Sequence, residues 1–190
     1  MLAVAQPLNG AFIYDLTAVN DHGPAKDITG LDFFVVVSET ADQSQVRFEF
    51  HNDGSTGIIS SIYFERGVLA DIAAIDVGDQ EGVEFVIGAH PGNLPGHNIS
   101  SSVDQDFTVS AKPPRKKTGV GPDEWVAIIF DLQPDKTFTD LISQIDNSDL
   151  RFAVRAQGVP SDVVIVNQVP EPATLAIVAL GIMLLRVVKH

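Results

Sequence analysis

The sequence predicts an all-β protein: an antiparallel β-sandwich, jelly-roll-like, with one short helix and a C-terminal transmembrane helix. Three observations carry this expectation. Apolar residues recur with period two along most of the chain, the spacing that puts alternate side chains on one face of a strand. Turn-forming clusters such as Asn52-Asp53-Gly54, Pro91-Gly92-Asn93, Gly121-Pro122-Asp123 and Gln133-Pro134-Asp135 divide these runs into short strands. Near the C-terminus, an uncharged apolar run extends from Ala173 to Leu185.

The strands follow in order. AFIYDLTA, from Ala11 to Ala18, reads as the first, and LDFFVVV, from Leu31 to Val37, as a near-continuous apolar strand. QVRFEF, from Gln45 to Phe50, alternates cleanly, with Val46, Phe48 and Phe50 on one face and Arg47 and Glu49 on the other. Further strands are expected at Ser61 to Phe64, Val83 to Ile87, Phe107 to Val109, Trp125 to Leu132, Leu150 to Ala156 and Val163 to Val166. Val68 to Ile75 fits either a strand or a short helix. The one clear helical period places Phe138, Leu141, Ile142 and Ile145 at i, i+3, i+4 and i+7, with Thr137 or Thr139 as its cap. No repeat, heptad or low-complexity stretch interrupts this order.

Charge narrows the classes of partner. The chain of 190 residues carries 12 Lys and Arg against 25 Asp and Glu. Setting aside Arg186, Lys189 and Glu171 in the tail leaves a body of 10 basic and 24 acidic residues, a net of −14. Such a body does not attract nucleic acid or an anionic membrane, both of which select a basic footprint. There is no cysteine, which excludes disulfides, thiolate metal ligands and a cysteine nucleophile. A domain of this length buries enough surface to fold without staples.

The tail reads as a membrane segment. Pro172 to Val188 spans about 25 Å if helical, short of the hydrocarbon core of about 30 Å, a gap that snorkelling of Arg186 and thinning of the bilayer can close. Its residues are apolar on all sides, unlike an amphipathic surface helix. Pro170 and Pro172 resist helix on the N-terminal side, so the helix is expected to begin at or after Pro172. Arg186, Lys189 and His190 gather on the other side, where basic residues favour the cytoplasmic face. This order of Pro170-Glu171-Pro172, apolar segment and short basic end resembles the PEP-CTERM sorting signal of Gram-negative bacteria. The resemblance implies recognition of Pro170, Glu171 and Pro172 by an exosortase-type membrane transpeptidase. It further implies removal of the tail and delivery to the cell surface or an extracellular polysaccharide matrix. The basic end here is thinner than the arginine run common in that family.

At the other end, Ala3-Val4-Ala5 fits the small-x-small pattern before a cleavage site, with Gln6 as first mature residue. No basic region and no long apolar run precede it, so residues 1–5 are expected to be the end of a longer signal peptide. The domain division is therefore 1–5 signal remnant, 6–166 ectodomain and 167–190 sorting and anchor segment. FEFHNDGSTGIISSIYFE, HPGNLPG, GVGPDEWVAIIFDL and LRFAVRAQG also resemble an ectodomain that recurs among PEP-CTERM proteins, for which the resemblance implies no assigned activity.

Candidate chemistry is sparse. His90 and His97 bracket a Gly/Pro loop, but no third ligand stands at a readable spacing. Asp76, Asp79 and Glu81, or Asp146, Asn147 and Asp149, offer oxygens of the kind calcium takes, without an EF-hand spacing. No nucleophile elbow, phosphate loop or dinucleotide fingerprint is present. The expectation is no metal, no cofactor and no enzyme. The basic stretch AKPPRKKTGVGPDE holds Lys112, Arg115, Lys116 and Lys117, four of the ten basic residues of the body. It reads as an exposed hairpin loop or as a contact for an anionic polysaccharide. One Trp and two Tyr make a neutral-sugar platform a poor fit, and Trp125 is expected half-buried. The functional expectation is an exported structural or adhesive protein of the surface or biofilm matrix, held at the inner membrane during sorting. The alternative is an extracellular hydrolase acting on matrix polysaccharide.

Overall fold

A computed structural model describes residues 10–18, 29–41, 43–88, 106–158 and 163–167. Ten strands form in chain order: β1 (Ala11–Ala18), β2 (Phe33–Glu39), β3 (Gln45–Asn52), β4 (Ile58–Phe64), β5 (Leu69–Asp76), β6 (Phe85–Ile87), β7 (Phe107–Ala111), β8 (Glu124–Leu132), β9 (Phe152–Gln157) and β10 (Val163–Asn167). Two helices, α1 (Arg115–Thr118) and α2 (Phe138–Asp146), flank β8. Each expected strand is found, displaced by no more than a few residues at its ends.

The two expected sheets are one. The strand order is β5-β8-β3-β2-β1-β10-β9-β4-β7-β6, and every described pairing is antiparallel. β1 joins the two halves. Ala11 to Asp15 pair with β2, and Leu16 to Ala18 pair with β10. The outermost strands, β5 and β6, come close to one another without a ladder between them, so the sheet nearly closes into a barrel. Local pattern marks which face of each strand is apolar. It does not show that one strand serves two neighbours over successive parts of its length.

The inner faces of the two halves share one core. Phe48, Phe50 and Phe130 come from the first half, and Phe64, Phe107 and Phe152 from the second. Their rings meet mostly edge to face: Phe48–Phe64 at 5.2 Å, Phe64–Phe130 at 4.8 Å, Phe107–Phe130 at 5.2 Å and Phe48–Phe152 at 5.7 Å between centroids. Such contacts set a ring's positive edge against a neighbour's negative face and add to the burial energy. β3 shows the predicted alternation, with Val46, Phe48, Phe50 and Asn52 inside and Arg47, Glu49 and His51 half-buried outside.

The open choice at Val68 to Ile75 resolves as a strand. β5 is an edge strand of irregular register, with breaks between Leu69 and Ile72 and between Ile72 and Ala74. Ladder bonds to β8 satisfy a backbone that carries the exposed residues Ala73 and Ala74. Irregular register of this kind makes an edge a poor template for pairing with another chain.

α2 packs against the core. Thr137 accepts from the Asp140 backbone N–H while the Asp140 carboxylate accepts from Thr137 N–H, a reciprocal capping box. Leu141, Ile142 and Ile145 are buried, Phe138 meets Phe12 at 5.9 Å, and Tyr14 donates to Asp146 at 3.0 Å. Burial holds the Tyr14 phenol well above its ordinary pKa, and the Asp146 charge adds to the shift.

A buried Asn52 ties two loops together. Its amide donates to Gly57 O and Val120 O, and its oxygen accepts from Gly54 N–H. A side chain at Gly54 has no room, because a Cβ there would lie 2.4 Å from Gly30 O.

Phe152 touches Tyr14, Phe48, Phe50 and Phe64. Phe152→Ala is expected to lower stability by about 3–5 kcal/mol, the usual range for emptying an aromatic core site. Urea denaturation, with midpoint and slope compared against the parent protein, measures it.

Candidate functional site

The basic stretch is a braced projection. β7 ends at Ala111, and the ladder along β4 resumes at Val120, where Ile59 and Val120 exchange both backbone hydrogen bonds at 2.9 and 3.0 Å. Residues 112–119 leave the sheet between these points. Where the sequence leaves an exposed hairpin loop as one reading, there is a turn of helix, α1. Its base is tied by Lys112 N–H to Glu84 O and Glu84 N–H to Thr118 O, both 2.9 Å, and by the Thr118 hydroxyl donating to Lys112 O. Within the turn, Lys117 N–H donates to Pro114 O at 2.8 Å and Gly119 N–H to Arg115 O at 3.0 Å. Gly119 packs directly on β4, where a Cβ would meet Ile59 O at 2.5 Å. The projection therefore cannot shift along β4 without breaking backbone bonds.

The four cations differ in setting. Lys112 Nζ lies 2.9 Å from Glu84 Oε2 in an exposed ion pair. Arg115 is half-buried, and its charge reaches Tyr63. Burial raises the Tyr63 pKa, outweighing the opposite pull of Ser61, Arg155 and Arg115. Lys116 and Lys117 stand exposed, with no acidic partner among the described residues.

A second charged group crosses the outer face of the first half-sheet. The register sets Phe34, His51 and Trp125 side by side on β2, β3 and β8. Phe34 and His51 stack at 4.6 Å, nearly parallel, and His51 Nε2 lies 2.8 Å from Glu49 Oε1. Arg47 donates to Glu49 through Nε and Nη2, at 2.9 and 2.7 Å, and to Asp76 through Nη1 at 2.6 Å. This arm reaches from β3 across β8 to the end of β5, where Ala127 of β8 pairs with both Glu49 and Asp76. Burial works against the Arg47 charge, but hydrogen bonds to Asp76 and Glu49 outweigh it, and its pKa is raised. Trp125 is half-buried, with Arg47 5.2 Å from its ring centroid and Gly78 packed beside it. Nothing local in the sequence marks Arg47 and Asp76 as partners, because 29 positions and one strand separate them.

The remaining candidates resolve unevenly. Asp76 is engaged by Arg47 and by Gly78 N–H at 2.9 Å, and Asp146 by Tyr14. Among the described residues no group of three or more His, Asp or Glu is placed to hold a metal ion. Glu65, nearly buried, is gripped by Arg151 through both carboxylate oxygens. His90, His97, Pro170, Glu171, Pro172, Arg186, Lys189 and His190 lie outside the described residues, as does the expected transmembrane helix. No helix among the described residues is long and apolar enough to cross a membrane.

Comparison with protein-family models, with curated proteins and with solved structures finds no match to this chain.

The Arg47–Asp76 bridge fixes a pH dependence. Gly78 N–H and Arg47 both stabilise the Asp76 carboxylate and lower its pKa. A group depressed in the folded state stabilises the fold above its unfolded pKa, about 3.9, and loses that contribution as pH falls through the folded value. Asp76→Asn is therefore expected to destabilise the protein at neutral pH and much less in strong acid. Melting temperatures of both proteins between pH 7 and pH 2 should converge at the acid end; a constant gap would show that the carboxylate charge is not the cause.

Proposed function

We propose that the protein is an exported structural or adhesive component of the cell surface or extracellular matrix, delivered through its C-terminal segment. The observation that carries this reading is the ordered tail: Pro170-Glu171-Pro172, the apolar run Ala173 to Leu185, then Arg186, Lys189 and His190. An exosortase-type transpeptidase is the partner proposed for Pro170, Glu171 and Pro172, with the apolar run as a membrane-spanning helix at the inner membrane until processing.

The body fits this role in two ways. Its last ladder ends at Asn167, before Pro170, and Asn167 is itself anchored by accepting from Phe152 N–H at 2.9 Å. Cutting the chain near Pro170 removes no ladder bond of the described fold, so the body can outlast loss of its tail. We read the two halves of the near-closed sheet as the faces of a sandwich-like ectodomain whose interior is filled by phenylalanine. The hydrolase alternative calls for two carboxylates converging on a substrate. Glu49 and Asp76 on the outer face are held by Arg47, and Glu65 by Arg151.

Intact mass of the native protein from separated membrane and extracellular fractions tests the reading. A species ending near Pro170 in the extracellular or matrix fraction is expected. A species complete through His190 and confined to the membrane would overturn processing and reduce the tail to an anchor.

A further inference from the structure

We infer that the projection at residues 112–119 is a contact for a single flexible acidic polysaccharide chain, made by Lys116, Lys117 and Arg115, with Lys112 as its brace. The inference deepens the function proposed above by naming the partner's chemistry, and takes from it only that the body meets matrix polysaccharide.

Charge segregation is the first argument. The body has ten basic residues, and four lie within six positions. Elsewhere Arg47 is held by Glu49 and Asp76, Arg151 is held by Glu65, and Arg66 lies over the Phe107 ring at 4.6 Å. Lys116 and Lys117 instead are exposed and consecutive in the chain, next to the half-buried Arg115.

Rigidity is the second. An exposed lysine pair on a loose loop loses conformational freedom when it binds. Here the backbone beneath the pair is already fixed by the Ile59–Val120 bonds, the Lys112–Glu84–Thr118 ties and the close approach of Gly119 to β4. Preorganisation of this kind reduces the cost of binding. It also separates the roles of the four cations. Lys112 is neutralised by Glu84 at the base, so the basic stretch offers three contacts rather than four.

The third argument selects the polymer. Fields are screened beyond about 10 Å at 0.1 M salt, so the projection attracts anions within its own reach. An anionic bilayer or a nucleic-acid duplex would press broad, dense negative charge against a body of net −14 as well. A single polysaccharide strand bearing spaced carboxylates can meet the two exposed lysines over a narrow footprint, with little of that body opposite it.

The test uses the full chain in neutral detergent, with alginate as the carboxylated probe, neutral dextran as control, and phosphatidylglycerol vesicles as the competing surface. Binding to alginate over dextran and vesicles is expected, weakening with salt. Lys116→Ser/Lys117→Ser should lower affinity about tenfold and flatten the slope of log affinity against log salt by about 1.4, the counterion-release value for two contacts on a single strand. Lys26→Ser/Lys136→Ser, which removes the same number of charges elsewhere in the sequence, should change affinity much less, and unchanged melting temperatures confirm intact folds. Equal loss in the two double variants would overturn the site, because net charge alone would then govern binding. Preference for vesicles, or no binding to alginate, would overturn the partner. Neither result bears on where the native protein is found, so failure here is distinct from failure of the sorting reading.

Discussion

The architecture rests on β1. A sheet with an apolar inner face must cover that face, and here it does so by curling on itself. Only a strand that pairs with β2 over its first five residues and with β10 over its last three can hold both halves in one ladder. The consequence is a single core in which Phe48, Phe50 and Phe130 interlock with Phe64, Phe107 and Phe152. The capping of α2, its contact with Phe12 and the Tyr14–Asp146 bond keep residues near that junction in place. Asn52 gives comparable order to the loops around Gly57 and Val120, and backbone bonds from Asp53 and Thr56 hold the Gly30 turn against the first of them.

Charge is arranged with similar economy. An acidic domain repels itself, and its few cations have the most effect where they cross between strands. Arg47 ties β3 to the irregular edge strand β5, and Arg151 ties the start of β9 to Glu65 after β4. These bridges stand at positions where the ladder is broken or ending. The basic projection departs from this pattern: its cations gather on one turn, held from below by backbone bonds and by the Lys112–Glu84 pair. Apart from Lys112, this cluster has no ion pair to another strand among the described residues, which is the ground for the contact proposed above.

The body and the tail follow different physical rules. The body satisfies its backbone through antiparallel ladders that end at Asn167. The tail is apolar throughout, flanked by proline on one side and basic residues on the other, a composition suited to hydrocarbon rather than to a sheet. In sequence, only a short stretch lies between Asn167, where the described ladders end, and Pro170, where the proposed sorting segment begins.

The sequence by itself determined nine of the ten described strands, the helix α2 and their inward faces. Each follows from local period: Val46, Phe48 and Phe50 alternate because a strand turns every second side chain to one face, and Leu141, Ile142 and Ile145 recur because a helix brings them to one stripe. It also placed the basic cluster, since that cluster is contiguous. Tertiary structure decided what depends on distance along the chain. The choice of strand over helix at Leu69 to Asp76 came from the hydrogen bonds that β8 supplies. The merging of two sheets into one came from β1 changing partners midway. The Arg47–Asp76 bridge, the brace of Glu84 on Lys112 and the knot at Asn52 join residues that no periodicity connects. Local pattern records which way a side chain faces; the strand beside it is chosen by the fold, because hydrogen-bonding capacity is the same along every backbone and only packing discriminates among pairings.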